Sequence, residues 1–313
     1  MKILFYDCFA GISGDMNLAA MIGLGVDPES LRTELSKLGL DHEFALRVAT
    51  DARHGIVGTR VDVVLTHEAA GHDHGHAAAM HEHTHDHHHG DHVHTHEHGH
   101  EHEHGQAHEH EHGQAHQYEH GHGHEHGQAH RGHRHAHGPN RNLANIEAII
   151  QGSALDDAIK ATSLRIFRKV AAAEARVHGK TVDEVHFHEV GATDSIVDIV
   201  GAAICFHQLG VDAVWASPVE LGGGFVHCAH GCIPVPAPAT MEILHGIPTT
   251  RGAVKQETAT PTGAAILATL VDTFTLTPTM VTEKTAYGIG HRDMDIPNIL
   301  RVHLAEVDRP GKG

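Results

Sequence analysis

Residues 185–201, with the sequence VHFHEVGATDSIVDIVG, are the stretch on which the prediction of the fold depends. The first part suits an extended strand over 182–190, and alternation along a strand points His186 and His188 to the same face. The second part predicts a helix that begins near Thr193 and continues well beyond the quoted residues. The stretch therefore predicts a strand that is followed at once by a helix, with polar side chains at the junction.

Asp194 and Asp198 are four residues apart and therefore share one face of the predicted helix. Together with His186 and His188 they bring two carboxylates and two imidazoles to the junction of strand and helix. This set of donors suits a divalent transition metal such as nickel, zinc or cobalt. The alternative is a structural role, in which the helix dipole stabilises Asp194 and the other three side chains lie on solvated faces. The spacing by itself leaves both interpretations open.

Residues 71–138 form a low-complexity segment that holds 28 of the 40 histidines and half of the formal net charge of −18. The segment has almost no large apolar side chain, so we predict a disordered insert in the absence of metal. Its imidazoles, including the run His87, His88 and His89, are interchangeable weak ligands that favour nickel, copper and zinc. We interpret the segment as a metal buffer.

On both sides of this insert, apolar periodicity predicts short strands alternating with helices. The predicted strands are 2–6, 43–50, 56–66, 211–217, 281–290 and 298–305, and the predicted helices are 16–24, 27–38, 140–151, 155–177, 193–209, 239–244 and 261–271. This alternation predicts an α/β or α+β fold in which a mixed sheet has flanking helices. We expect an N-terminal α/β part over 1–70, the insert over 71–138, a second part over 139–307 that completes the same core, and a tail over 308–313.

Two predicted helix N-termini could bind a phosphate, because free backbone N–H groups point outward there. The residues concerned are Ser13, Gly14 and Asp15 at the first, and Thr260, Thr262 and Gly263 at the second. The first follows a glycine-rich turn but lacks the lysine of a P-loop, so its motif is weak. The second has a threonine cap and small residues in its first turn, and is the better candidate. An ordinary turn and an ordinary capped helix are the alternatives.

Cys228 and His230 lie in a glycine-rich stretch, with His227 and Cys232 close by in sequence. Two thiols and two imidazoles could bind a metal, but this spacing is not that of a zinc ribbon. A shuttle for a metal or a proton is one interpretation, and a loop that leads into an edge strand is the other.

The composition excludes several classes of protein. Outside the insert the chain is mildly acidic, which argues against a nucleic-acid-binding protein. Four cysteines do not make a disulfide scaffold in a chain of 313 residues. Asp7 interrupts the apolar N-terminus too early for a secretory signal, and no apolar run approaches the ~18 residues of a membrane span. We therefore expect a cytoplasmic protein.

Six blocks of sequence, in order along the whole chain, carry a resemblance to a known family. They are D-x3-GISGDM from Asp7, VHFHEVG from Val185, DSI-x-DI from Asp194, C-x-HG-x2-PVPAPAT from Cys228, TPTGAA from Thr260 and YG-x-G from Tyr287. Through these blocks and the His-rich insert, the chain resembles the LarC family, the pyridinium-3,5-bisthiocarboxylic acid mononucleotide nickel insertion proteins.

The resemblance implies a cytoplasmic cyclometallase of the lyase or chelatase class, which makes the nickel-pincer cofactor of lactate racemase-type enzymes. In the family, Ni(II) enters the mononucleotide through two nickel–sulfur bonds and one nickel–carbon bond, and CTP is consumed with Mg²⁺ or Mn²⁺. Full-length family members carry a further C-terminal domain that binds CTP, whereas this sequence ends soon after Arg301. A companion chain that supplies this domain, a truncated form and a homo-oligomer are all compatible with the resemblance.

Spacing and resemblance together suggest roles for individual residues. We predict transient nickel ligands or the base at His186, His188, Asp194 and Asp198, a relay at Cys228 and His230, and a cradle for the substrate phosphate at Thr260, Thr262 and Gly263. Two rival functions remain. One is a nickel store without turnover, and the other is a metal-dependent phosphohydrolase that uses Asp7, Asp15, Asp194 and Asp198.

Overall fold

A computed structural model describes residues 1–66, 141–185, 187, 192–228 and 231–308, with the side chains at 227 and 228 left out. The predicted insert over 71–138, including His87, His88 and His89, lies outside these residues, and so do His186, His188 and His230. The described residues on both sides of the insert belong to one compact unit. The exact domain bounds stay a prediction.

A mixed sheet of seven strands forms the centre of this unit, in the order β2-β3-β10-β11-β1-β4-β9. The described strands are β1 Lys2–Asp7, β2 Phe44–Arg53, β3 Ile56–Leu65, β4 Ala213–Ala216, β5 Val219–Glu220, β6 Phe225–Cys228, β7 Gly231–Pro234, β8 Thr249–Thr250, β9 Thr273–Phe274, β10 Val281–Ile289 and β11 Ile299–Glu306. β1 pairs in parallel with β4 and antiparallel with β11. β5 with β8 and β6 with β7 form two small additional sheets.

The described helices flank the large sheet. They are α1 Gly14–Leu24, α2 Pro28–Ser36, α3 Leu143–Gly152, α4 Asp157–His178, α5 Thr193–Leu209, α6 Pro238–Ile243 and α7 Pro261–Leu270, with a 3-10 helix at Val182–Glu184. α1 packs on β3, β10 and β11, and α5 packs against both α1 and α4. Leu4 and Tyr6 of β1 join the large core with the helices, whereas Ile3 and Phe5 join a small cluster on the other face. The predicted mixed sheet with flanking helices is confirmed.

Helix α1 approaches its neighbours closely because glycines face it on two sides. A Cβ atom at Gly288 of β10 would lie 2.9 Å from the carbonyl carbon of Met16 and 3.0 Å from the amide nitrogen of Ala20. A Cβ atom at Gly201 of α5 would lie 2.8 Å from the side chain of Leu18. The position of the first turn of α1, and therefore of Asp15, is fixed by these two contacts.

Most predicted elements are present within a few residues of their expected bounds. The β2–β3 hairpin turns at His54 and Gly55, which have φ values of +49° and +81°. Leu209 ends α5 as expected, and Gly210 follows in the left-handed conformation. Among the described helices, none has the length and the apolar character needed to cross a membrane.

The extended strand expected over 182–190 is wrong in its first part, because Val182–Glu184 form a 3-10 helix. The Glu184 carboxylate accepts hydrogen bonds from the backbone N–H of Thr181 at 3.0 Å and from its hydroxyl at 2.7 Å. This is a capping box, which closes a turn where the apolar pattern alone suggested a strand. Val185 and Phe187, which follow, are both buried in the core.

Candidate functional site

The candidate site lies beyond the end of β1, where residues 8–13 connect that strand to α1. The N–H of Ile12 donates to the carbonyl of Thr258 at 3.0 Å, and the N–H of Thr260 donates to the carbonyl of Ile12 at 3.0 Å. This short parallel bridge binds the connection to the segment that precedes α7. The N-termini of α1 and α7 are therefore held side by side.

The first turn of α1 also touches α5, because Gly14 packs directly on Asp198. A Cβ atom at Gly14 would overlap the Asp198 carboxylate and would lie 2.5 Å from its Cβ. Asp15 follows Gly14 in α1, and Asp194 precedes Asp198 by one turn of α5. Two helix N-termini thus bring three carboxylates together, and their dipoles favour negative charge at this place.

The three carboxylates influence one another electrostatically. Burial, followed by the negative charges of Asp15 and Asp194, raises the pKa of Asp198 well above its ordinary value. Its Oδ1 atom is buried and has no hydrogen-bond partner in the described part of the chain. The hydroxyl of Ser13 donates to Asp15. A proton or a cation at Asp198 would relieve both the repulsion and the missing hydrogen bond.

A chain of alternating charges continues from Asp15 through His291, which lies just after β10. His291 Nε2 is 3.0 Å from Asp15 Oδ2, and its Nδ1 is 3.3 Å from Asp62 Oδ1. Nδ1 is also 2.9 Å from Arg60 Nη2 and accepts this hydrogen bond in the neutral ring. Arg60 in turn pairs with Asp62 at 3.1 Å and with Asp51 at 3.2 Å.

The hydrogen bond to Asp15 raises the pKa of His291, although burial and Arg60 oppose this shift. A raised pKa means that the protonated ring stabilises the fold below the unfolded pKa of about 6.5, and that this stabilisation disappears as pH rises through the folded pKa. We expect His291→Gln to reduce the free energy of unfolding more at pH 6 than at pH 9. The difference should be at most about 1 kcal/mol, because the side chain is 44% exposed.

Chemical denaturation of the nickel-free chain at the two pH values measures this effect. Both proteins carry the same insert, so its contribution cancels in the comparison. His245→Gln is the matched control, since His245 is exposed and lies outside the charge chain. An equal loss of stability at both pH values would contradict the pairing of His291 with Asp15.

The beginning of α5 is fixed by a second polar cluster. The hydroxyl of Thr193 donates to Glu43 Oε2 at 2.5 Å, and Arg141 donates to Glu43 Oε1 at 2.5 Å and to the Thr193 hydroxyl at 3.1 Å. Burial raises the pKa of Glu43, but the hydrogen bonds from Thr193 and Arg141 outweigh it and lower the pKa overall. Glu43 therefore stays ionised and positions the turn that carries Asp194.

The second predicted phosphate site, at the N-terminus of α7, is largely occupied by protein atoms. Thr260 caps the helix and accepts a hydrogen bond from the N–H of Gly263 at 3.3 Å. A Cβ atom at Gly263 would lie 2.7 Å from the carbonyl carbon of Ile12, and Thr262 is buried. The threonine cap is confirmed, whereas phosphate binding by Thr260, Thr262 and Gly263 stays a prediction. The same holds for Ser13, Gly14 and Asp15.

The structure brings together only part of the predicted nickel site. Asp194 and Asp198 share the first two turns of α5, whereas His186 and His188 lie outside the described residues. Cys228 ends β6, where its backbone pairs with Gly231, but its side chain and His230 are likewise not described. Within the described residues, no group of three or more His, Cys, Asp or Glu side chains is arranged to hold a metal ion.

Sequence reasoning missed His291 and the neighbouring pair Arg60 and Asp62, because His291 lies 231 positions beyond Arg60 along the chain. The one available signal was that His291 directly follows the Tyr287-Gly288-x-Gly290 block. Asp7, by contrast, is paired with Arg301, whose Nε donates to it at 2.9 Å. This ion pair gives Asp7 a structural partner and weakens the interpretation that it forms a hydrolytic centre with Asp15, Asp194 and Asp198.

Comparison with known proteins connects this site to one family. The family model described as nickel insertion protein matches residues 4–312. A relative from Maridesulfovibrio salexigens is 59% identical over 309 residues, which cover 99% of this chain and 64% of the relative.

Two relatives carry the name pyridinium-3,5-bisthiocarboxylic acid mononucleotide nickel insertion protein. The one from Clostridium acetobutylicum is 52% identical over 306 residues, covering 98% of this chain and 64% of the relative. The one from Clostridium kluyveri is 49% identical over 313 residues, covering 100% of this chain and 64% of the relative. The chain thus spans less than two thirds of the length of these relatives. No solved structure matches it.

Proposed function

The chain belongs to the nickel insertion protein family, and we propose that it inserts Ni(II) into pyridinium-3,5-bisthiocarboxylic acid mononucleotide to form the nickel-pincer cofactor of lactate racemase-type enzymes. The observation that carries the proposal is the convergence of Asp15, Asp194 and Asp198, together with the unpartnered oxygen of Asp198. Nickel is the substrate here, so the site must release it as well as bind it.

The predicted ligands remain Asp194 and Asp198 with His186 and His188. Carboxylate and imidazole are donors that nickel accepts but does not hold as strongly as thiolates, and the two thiocarboxylates of the substrate can therefore displace them.

Forming the nickel–carbon bond also needs an acceptor for a proton. One C–H bond of the pyridinium ring breaks, its electron pair forms the bond to Ni(II), and the proton leaves to a base. A carboxylate with a raised pKa is a stronger base than an ordinary one and suits this role, and burial with the nearby Asp15 and Asp194 raises the pKa of Asp198. Cys228 and His230 stay predicted as a relay from this point.

The proposal includes CTP with Mg²⁺ or Mn²⁺, the lyase or chelatase class and a cytoplasmic location. What supports these three is the resemblance alone. We propose that CTP binds to a domain outside the given sequence or to a companion chain. We therefore assign CTP to none of the described residues. A homo-oligomer is compatible with the same scheme.

The test is to incubate the protein with NiCl₂, CTP and the bisthiocarboxylate mononucleotide, with and without the remaining part of a family member. We expect the mass and the absorption of the nickel-pincer product. A second protein without residues 71–138 distinguishes an insertase from a nickel store. An insertase that lacks the insert keeps its turnover at saturating nickel, whereas a store loses its function. Absence of product under all conditions would refute insertion, and nickel-independent phosphate release from nucleotides would indicate a hydrolase.

A further inference from the structure

A cavity of about 390 Å³ opens beside the candidate site, between the edge of the large sheet and the residues that follow β10. Its lining is formed by Arg47, Arg60, Asp62, Val63, Val64 and His291. Arg47 of β2 lies directly opposite Asp62 of β3 in the antiparallel register. The cavity therefore has an apolar wall from β3 and a charged rim from three different elements.

The rim carries two guanidinium groups, those of Arg47 and Arg60. Asp62 and Asp51 hold the guanidinium of Arg60 in a fixed orientation. Arg47 is exposed and makes no hydrogen bond or ion pair with the residues that the structure describes. Arg60 is paired with Asp51 and Asp62, and His291 with Asp15, so the uncompensated positive charge on the lining is that of Arg47. In a chain with a formal net charge of −18, such a guanidinium beside a cavity attracts an anion locally.

His291 forms the boundary between this cavity and the three carboxylates. Its Nδ1 contacts the rim through Asp62 and Arg60, and its Nε2 contacts Asp15. The cavity with the two arginines and the cluster of three carboxylates are thus separated by the width of one imidazole ring. A ligand with an anionic end and a metal-accepting end matches this arrangement in charge.

We propose that the cavity binds the phosphate of the pyridinium mononucleotide, with Arg47 as the residue that contacts it and Arg60 as the preoriented second cation. This inference rests on the proposed function and adds to it the place where the substrate is anchored. Guanidinium groups suit the purpose because their planar fork matches phosphate oxygens. The N-terminus of α1 suits it less, since Asp15 and Asp198 would repel a phosphate there.

The experiment measures binding by isothermal titration calorimetry in phosphate-free buffer without nickel, using the mononucleotide and its dephosphorylated nucleoside. We expect Arg47→Ala to weaken binding of the mononucleotide about tenfold to a hundredfold, the range for one charge-assisted hydrogen bond. Binding of the nucleoside should change less than about twofold. Lys169→Ala removes an exposed positive charge from α4 and is the matched control.

Three results would overturn the assignment of the cavity. The first is an Arg47→Ala protein that binds both ligands as the parent does, or that binds both more weakly by the same factor. The second is a phosphate-dependent loss in Thr262→Ala, with Arg47→Ala unaffected, which would place the phosphate at the N-terminus of α7. A parent chain that binds neither ligand would also overturn it, whereas the proposed function is judged separately by formation of the nickel product.

Discussion

Replacing Asp198 by asparagine is expected to lower nickel insertion at least about a hundredfold while making the nickel-free protein more stable. The loss follows because the variant removes the carboxylate proposed as ligand or base, and such groups contribute about 10²–10⁴-fold. The gain follows because the carboxylate is buried, has an unpartnered oxygen and is repelled by Asp15 and Asp194. An amide keeps the shape, removes the charge and can donate to a neighbouring carboxylate.

The gain in stability from Asp198→Asn is expected to depend on pH in one direction. Because burial and the neighbouring charges raise the pKa of Asp198 in the folded state, the folded protein retains a proton that the unfolded chain loses above about pH 4. The stability contributed by this group therefore falls as pH rises from that value through the folded pKa. Asp198→Asn lacks this decline, so the Tm of the variant should exceed that of the parent by a margin that grows with pH to a few degrees.

Thermal denaturation between pH 4 and pH 8 without nickel, together with the insertion assay, measures both effects. Asp183→Asn is the control, since Asp183 is an exposed carboxylate outside the site. A variant at Asp198 that inserts nickel within a few fold of the parent would contradict the proposed role. A variant less stable than the parent would contradict the repulsion among the three carboxylates.

Replacing Gly288 by alanine should lower the free energy of unfolding by more than about 3 kcal/mol, the range of severe overpacking. The new methyl group would meet the backbone of α1 at Met16 and Ala20, which cannot rotate away as a side chain could. Either α1 moves off β10, or the turn of α1 distorts. Both responses displace Asp15 from His291, so nickel insertion should fall together with stability.

Equilibrium unfolding in urea, with the slope checked for two-state behaviour, measures this loss. Gly152→Ala is the matched control, because Gly152 ends α3 and has open space where the methyl group would lie. The control should be as stable as the parent or up to about 1 kcal/mol more stable. A Gly288→Ala protein within about 1 kcal/mol of the parent would refute the close packing of α1 on β10.

The strand predicted at 182–184 is wrong for an identifiable physical reason. The apolar alternation suggested a strand at 182–184, but the Thr181–Glu184 capping box, a local signal readable in the sequence, prevailed. At the N-terminus of α7, where phosphate binding stays a prediction, the structure adds that the backbone of Ile12 packs against Gly263. Small residues in sequence indicate that another group can lie close to the backbone, but they do not indicate whether that group is a ligand or another part of the protein.

The amino-acid sequence was sufficient for the elements that depend on local interactions. It gave the start of α5 at Thr193, the threonine cap of α7, the β2–β3 hairpin and the one-turn spacing of Asp194 and Asp198, because apolar periodicity, caps and turn residues act over a few positions. Its ordered blocks also indicated the family, since they run the length of the chain.

Folding alone brought together residues that are distant in sequence. Asp15 lies near Asp198 because Gly14 contacts α5. His291, which follows β10, joins Asp15 to Asp62 because α1 packs on both β10 and β3. These relations arise from strand order and from the packing of helices on a sheet, which depend on the whole core at once. No short-range pattern encodes them, and for that reason the cavity with its two arginines beside the carboxylates could not be foreseen.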